Sequence, residues 1–127
     1  TSERYEPVEF PAVPDYDVLT ALVDGAEAND EEVHVGPIAT DDAFYNETDE
    51  YITAWEEANI LAVEMEAAAV FSVARRRDMR AGAICTVDGN LVEGTQKGET
   101  DDEELPDKAK NNVGRAIQIT LDAVTDL

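Results

Sequence analysis

The chain has 127 residues, 43% of them hydrophobic, which is enough for one domain with a core and too apolar for a disordered acidic tail. Thirty Asp and Glu face nine Lys and Arg, a formal net charge of -21, so no basic stripe exists to neutralise phosphates and nucleic-acid binding is disfavoured. No apolar run approaches the length of a membrane span, and the single cysteine, Cys85, rules out an internal disulfide framework and fits a reducing, cytoplasmic setting.

Taken in chain order, "YEPVEFPAVPD" is extended, held by three prolines that exclude helix. Asp15 or Asp17 can cap the next segment, where Val18, Leu19, Leu22, Val23 and Ala26 fall on one face of a helix. "EVHVGPIAT" (32–40) alternates, is rich in β-branched residues and predicts a strand. "DDAFYNETDE" is a polar loop, and Tyr51, Ile52, Trp55 and Ala58 suit a short helix. "NILAVEM" predicts an extended segment. "EMEAAAVFSVARRR" predicts a helix whose last turn carries Arg75 to Arg77, complementing its dipole. "AGAICTV" (81–87) has the apolar character of a buried strand. A long polar loop follows. The last segment, from about Lys108 to Leu127, is an amphipathic helix with Val113, Ile117, Leu121 and Val124 in line. Alternating strands and helices imply an α/β sandwich with a largely buried sheet, spanning residues 1–127 as one domain.

The acids are spread over the whole chain and not gathered in one block, and only three of the basic residues are lysines, Lys97, Lys108 and Lys110. At ordinary ionic strength such self-repulsion weakens a compact state. In molar salt the Debye length falls to about 3 Å and screens it. The charge is therefore read as adaptation to a salt-rich cytoplasm, in preference to a surface for a basic partner. The opening Thr1, with no initiator methionine, fits a processed chain or a piece of a larger one.

Ligands of open α/β sheets bind beyond the carboxyl ends of the strands. Three segments qualify here: Thr40 to Tyr45, Val63 to Glu66 and Val87 to Asn90. The second holds two carboxylates, Glu64 and Glu66, in an apolar setting. On an extended chain they share a face, whereas on a helix they diverge by about 200°. A carboxylate where a strand passes into a helix can accept hydrogen bonds from the helix N-terminal amides. That would account for one of the pair as a buried cap. The functional reading is a polyol site, in which a carboxylate accepts from the vicinal hydroxyls of a ribose and stabilises a cationic, oxocarbenium-like sugar. Spacing alone leaves both readings open.

"NILAVEMEAAAVFSVARRRDMRAGAICTVDGN" resembles the nucleoside phosphorylase family that holds uridine phosphorylases and hexameric purine nucleoside phosphorylases, with Val63 to Ala67 as its signature. "YEPVEFPAVPDYDVLTALVDGA" and "VHVGPIATDDAFY" look like the uridine phosphorylase branch. The resemblance covers nearly the whole chain and matches the C-terminal half of family members. Their N-terminal half, with the phosphate-binding Gly-rich loop and arginines, is absent from this sequence. The resemblance implies a three-layer α/β/α sandwich with a mixed central sheet, here half of a phosphorylase/hydrolase-like fold.

It also implies a pentosyltransferase carrying out reversible phosphorolysis of a nucleoside to base and ribose 1-phosphate. Phosphate is the co-substrate, with no cofactor and no metal. A homo-oligomer, dimer or hexamer, is expected for the complete protein, and no activity for the piece alone. By the same implication Glu66 binds the ribose 2′ and 3′ hydroxyls, Met65 contacts the sugar, Glu64 lines the pocket and Phe44 packs on the base. The base-reading positions depart from the family. Thr48 and Glu50 stand where uridine phosphorylases carry a Gln and an Arg. Purine relatives read Val-Ser-Asp after the late strand, their Asp donating a proton to the leaving purine. Here the matching carboxylate, Asp88, comes one residue early, and a one-residue shift on a strand reverses its facing. The resemblance leaves the base open. A nucleoside hydrolase of the same superfamily and a non-catalytic nucleoside-binding domain are the rival readings. His34 and Trp55 read as structural residues and Cys85 as an inert core thiol.

Overall fold

A computed structural model describes residues 11–42, 48–94, 107–125 and 127. The elements run α1 (Tyr16–Ala28), β1 (Ile38–Thr40), α2 (Asp49–Glu57), β2 (Ala62–Glu64), α3 (Ala67–Arg76) and α4 (Asp107–Thr125). This is an α/β arrangement. Its described sheet has two parallel strands, with Ile38, Ala39 and Thr40 paired to Ala62, Val63 and Glu64. Backbone bonds from Leu61 to Pro37 and from Asp41 to Glu64 extend the pairing at either end. Parallel pairing brings the carboxyl ends of both strands to the same edge, which is where the site lies.

The helices begin and end for local reasons. Asp15 caps α1, its carboxylate accepting from the amides of Asp17 (3.1 Å) and Val18 (3.2 Å). Thr48 occupies the same position before α2. α1, α2 and α3 each stop at a left-handed residue, Asp30 (φ 56°), Asn59 (φ 55°) and Asp78 (φ 53°). In each, the next amide reaches back to the third residue from the helix end: Glu31 to Ala26, Ile60 to Trp55 and Met79 to Ala74, all at 2.9 Å. These are Schellman closures with Asp or Asn in the place glycine usually takes. Short polar side chains tolerate the left-handed region and add to the acidic surface.

The core joins α1 to α4 through Leu22, Ala26, Ile119 and Ala123, with Val18, Ala21, Val33 and Ile84 packed around them. Small residues let the helices approach closely: a Cβ at Gly25 would stand 3.0 Å from the Ile119 carbonyl oxygen. At the rim, Asn29 donates to Asp122 (2.8 Å) and Arg115 pairs with Glu31 (2.9 Å).

Several expectations change. The 32–40 strand shrinks to Ile38–Thr40, because residues 32 to 36 have no strand partner among the described residues. His34 lies before the strand and is exposed. Residues 81–87 form no ladder. They run along α1, tied by the Asp15 amide to the Ala81 carbonyl (2.8 Å), with Gly82 so close that a Cβ would meet Val18 at 2.6 Å. Ile84 turns inward and Cys85 is exposed, so Cys85 is not a core thiol. In α4 the buried residues are Ala109, Ile119 and Ala123, while Val113, Ile117, Leu121 and Val124 face outward. Ile119 and Ala123 pack on α1, and the line of larger side chains is exposed. No helix among the described residues is long and apolar enough to cross a membrane.

Candidate functional site

A cleft of about 540 Å³ opens at the carboxyl ends of β1 and β2. It is lined by Ile52 and Trp55 of α2, by Glu64, Met65 and Glu66, and by residues 85–92. Trp55 is half-buried and its ring stands 6.1 Å from that of Tyr51. Trp55, read from the sequence as a structural residue, lines the cleft.

The two glutamates divide their work. Glu64 ends β2 and its carboxylate is fully engaged. One oxygen accepts from the amides of Glu66 (2.7 Å) and Ala67 (2.6 Å) at the start of α3, and the other accepts from the Thr40 hydroxyl across the sheet. Thr40 in turn accepts from the Ala68 amide (3.1 Å). A helix leaves its first amides without partners of its own, and here Glu64 and Thr40 satisfy three of them. The buried-cap reading therefore belongs to Glu64. Glu66 occupies the N-cap position (φ -128°, ψ -30°) but makes no side-chain cap bond. Its carboxylate is exposed on the cleft and hydrogen-bonded to no described residue.

Met65 is exposed on the cleft between them, at 42%. Asp88 also lines the cleft, exposed and without a hydrogen bond to any described residue. The expected reversal of its facing relied on strand alternation, and residues 81–90 are not in a strand, so both Asp88 and Asn90 reach the cleft. The Asn90 side-chain oxygen accepts from the amides of Val92 (3.0 Å) and Glu93 (3.4 Å), shaping the turn that follows. Phe44 lies outside the described residues.

The structure thus brings Glu64, Met65, Glu66 and Asp88 to one cleft. Sequence reading missed Thr40 as the partner of Glu64. The available signal was a hydroxyl at the last position of a strand that ends where a carboxylate-bearing strand also ends. Cys85 also lines the cleft, where partial burial first, and then the charges of Glu64 and Glu66, push its thiol above the ordinary value. That keeps it protonated and a poor nucleophile.

Chemically, the cleft offers an apolar wall, a thioether and uncommitted carboxylates. Such a set accepts hydrogen bonds from hydroxyls and stabilises positive charge developing beside it. Among the described residues no Lys, Arg or His lines it. The cleft suits a polyol with an apolar body, and this part of it offers no cation to an anion.

Residues 1–125 match the family described as the Phosphorylase superfamily. A guanosine phosphorylase of Halorubrum lacusprofundi is 71% identical over 127 residues, covering 100% of this chain and 53% of its own length. A DeoD-type purine nucleoside phosphorylase of Proteus mirabilis is 36% identical, over 95% of this chain and 48% of its own. A uridine phosphorylase of Treponema pallidum is 34% identical, over 98% and 50%. The chain spans about half the length of the curated relatives it matches. Because the match runs through nearly all of its residues, the chain belongs to the phosphorylase superfamily.

Proposed function

We propose that the protein containing this chain catalyses reversible phosphorolysis of a nucleoside, giving free base and ribose 1-phosphate, with inorganic phosphate as co-substrate and no cofactor. The observation that carries the reading is the Glu64–Glu66 turn: one carboxylate is spent on the fold, and the next is left free on a cleft beside Met65. Glu66 accepts from the ribose 2′ and 3′ hydroxyls, and Met65 packs on the sugar. As the glycosidic bond loosens, the sugar gains positive character, which the Glu66 charge stabilises. Phosphate attacks the anomeric carbon from outside this acidic cleft, held by residues beyond this chain. In the same reading Asp88, which also lines the cleft, gives a proton to the departing base.

The relative named as a guanosine phosphorylase supports a purine nucleoside as substrate, in preference to the uridine-type branch that the 5–26 and 33–45 stretches resemble. We further read this chain as the C-terminal half of a three-layer α/β/α sandwich and the complete protein as a cytoplasmic homo-oligomer. The charge of -21 supports a salt-rich working environment. The complete protein, given guanosine, inosine or uridine, should release base only when phosphate is present, with ribose 1-phosphate as the second product. Release of free ribose without phosphate would instead indicate a hydrolase, and tight nucleoside binding without turnover a binding domain. The 127-residue chain alone should show no phosphate-dependent turnover.

A further inference from the structure

Glu66 sits at the N-cap of α3, where a carboxylate can fold back onto the amides of its own helix. A side chain so engaged could not serve a ligand. Here three of those amides are already taken. Glu64 holds the Glu66 and Ala67 amides, and Thr40 holds the Ala68 amide. Thr40 closes the circuit by donating to the Glu64 oxygen that the amides leave free. The hydroxyl is used as donor and acceptor at once. It ties the end of β1 to the end of β2 and to the first turn of α3.

We propose that Thr40 is a positioning residue for the nucleoside site: with Glu64 it occupies the first amides of α3, so that the Glu66 carboxylate stays turned to the cleft. The proposal rests on the reading of Glu66 as the ribose diol ligand. Valine at position 40 keeps the branched shape but removes both hydrogen bonds. It frees the Ala68 amide as a competing partner for Glu66 and releases one oxygen of Glu64. Serine restores both bonds.

The test compares the complete wild-type protein with Thr40→Val, Thr40→Ser and Glu66→Gln on a ribonucleoside and its 2′-deoxy counterpart. A carboxylate displaced by about 1 Å can lose up to roughly a hundredfold in rate. Thr40→Val should therefore lower kcat/KM for the ribonucleoside by about tenfold and shrink the ribo-over-deoxy preference, as Glu66→Gln does, while Thr40→Ser restores both. If Glu66→Gln shrinks the preference but Thr40→Val lowers only the Tm, Thr40 is a structural cap and the proposal is overturned. If Glu66→Gln leaves the preference unchanged, the diol reading fails, and the positioning of Glu66 for the ribose by Thr40 is overturned with it.

Discussion

Replacing each of the two signature glutamates by glutamine should separate folding from catalysis. Glutamine keeps the size of Glu64 but replaces one oxygen by a donor. Three donors face that carboxylate: two amides at 2.7 and 2.6 Å and the Thr40 hydroxyl. With its oxygen kept on the amides, the carboxamide points N–H at Thr40, whose own proton then loses its acceptor. The two amide bonds survive but become neutral. A charge-assisted bond contributes about 1.5–3 kcal/mol and a neutral one about 0.5–1.5, so the two amide bonds lose about 1 kcal/mol each, about 2 kcal/mol before the Thr40 contact is counted. That matches the upper range for losing a helix cap. In a protein about twice this length it lowers the Tm by roughly 4–8 °C. Glu66→Gln breaks no bond to a described residue, so its stability should stay within about 0.5 kcal/mol of wild type. Its kcat/KM on a ribonucleoside should fall by about one to two decades, and less on the 2′-deoxy substrate. Thermal unfolding in molar KCl and steady-state kinetics on the complete protein measure both. A Glu64→Gln protein as stable as wild type, or equal Tm losses for the two variants, would refute the division of labour.

Three further outcomes are expected. The fold should gain stability as KCl rises into the molar range, read as a rising Tm; a flat or falling Tm would contradict salt adaptation of the -21 charge. Gly25→Ala, which by helix propensity alone would stabilise by about 1 kcal/mol, should instead lower the Tm, because its Cβ meets the Ile119 carbonyl oxygen at 3.0 Å and overpacking costs about 1–3 kcal/mol. Cys85 is exposed but its thiol is pushed up, so alkylation near pH 8 should be slower than for a free thiol. Its sign in stability follows: between the ordinary thiol value and the raised one the folded state holds the extra proton, so stability falls as pH rises through that window, read as a falling Tm.

What the sequence determined by itself was local. The apolar spacing of Val18, Leu22 and Ala26 placed α1, Asp15 or Asp17 marked its start, and the Val63–Ala67 stretch marked the strand-to-helix passage that carries the site. These features depend on residues within one or two turns of each other, so composition and spacing suffice. The tertiary structure decided what depends on distant partners. Whether 81–87 joins a sheet depends on a strand beside it, and here it lies along α1 without a ladder. Which stripe of α4 is buried depends on the shape it meets. The close α1 contact at Gly25 accepts Ala123 and Ile119 and leaves Ile117 and Leu121 outside. Of the two glutamates, the sequence said only that one of them can cap the helix. That it is Glu64 follows from Thr40, 24 residues earlier, arriving beside it through parallel pairing of two three-residue strands. A carboxylate is committed or free according to the donors around it, and those donors are assembled only by the fold.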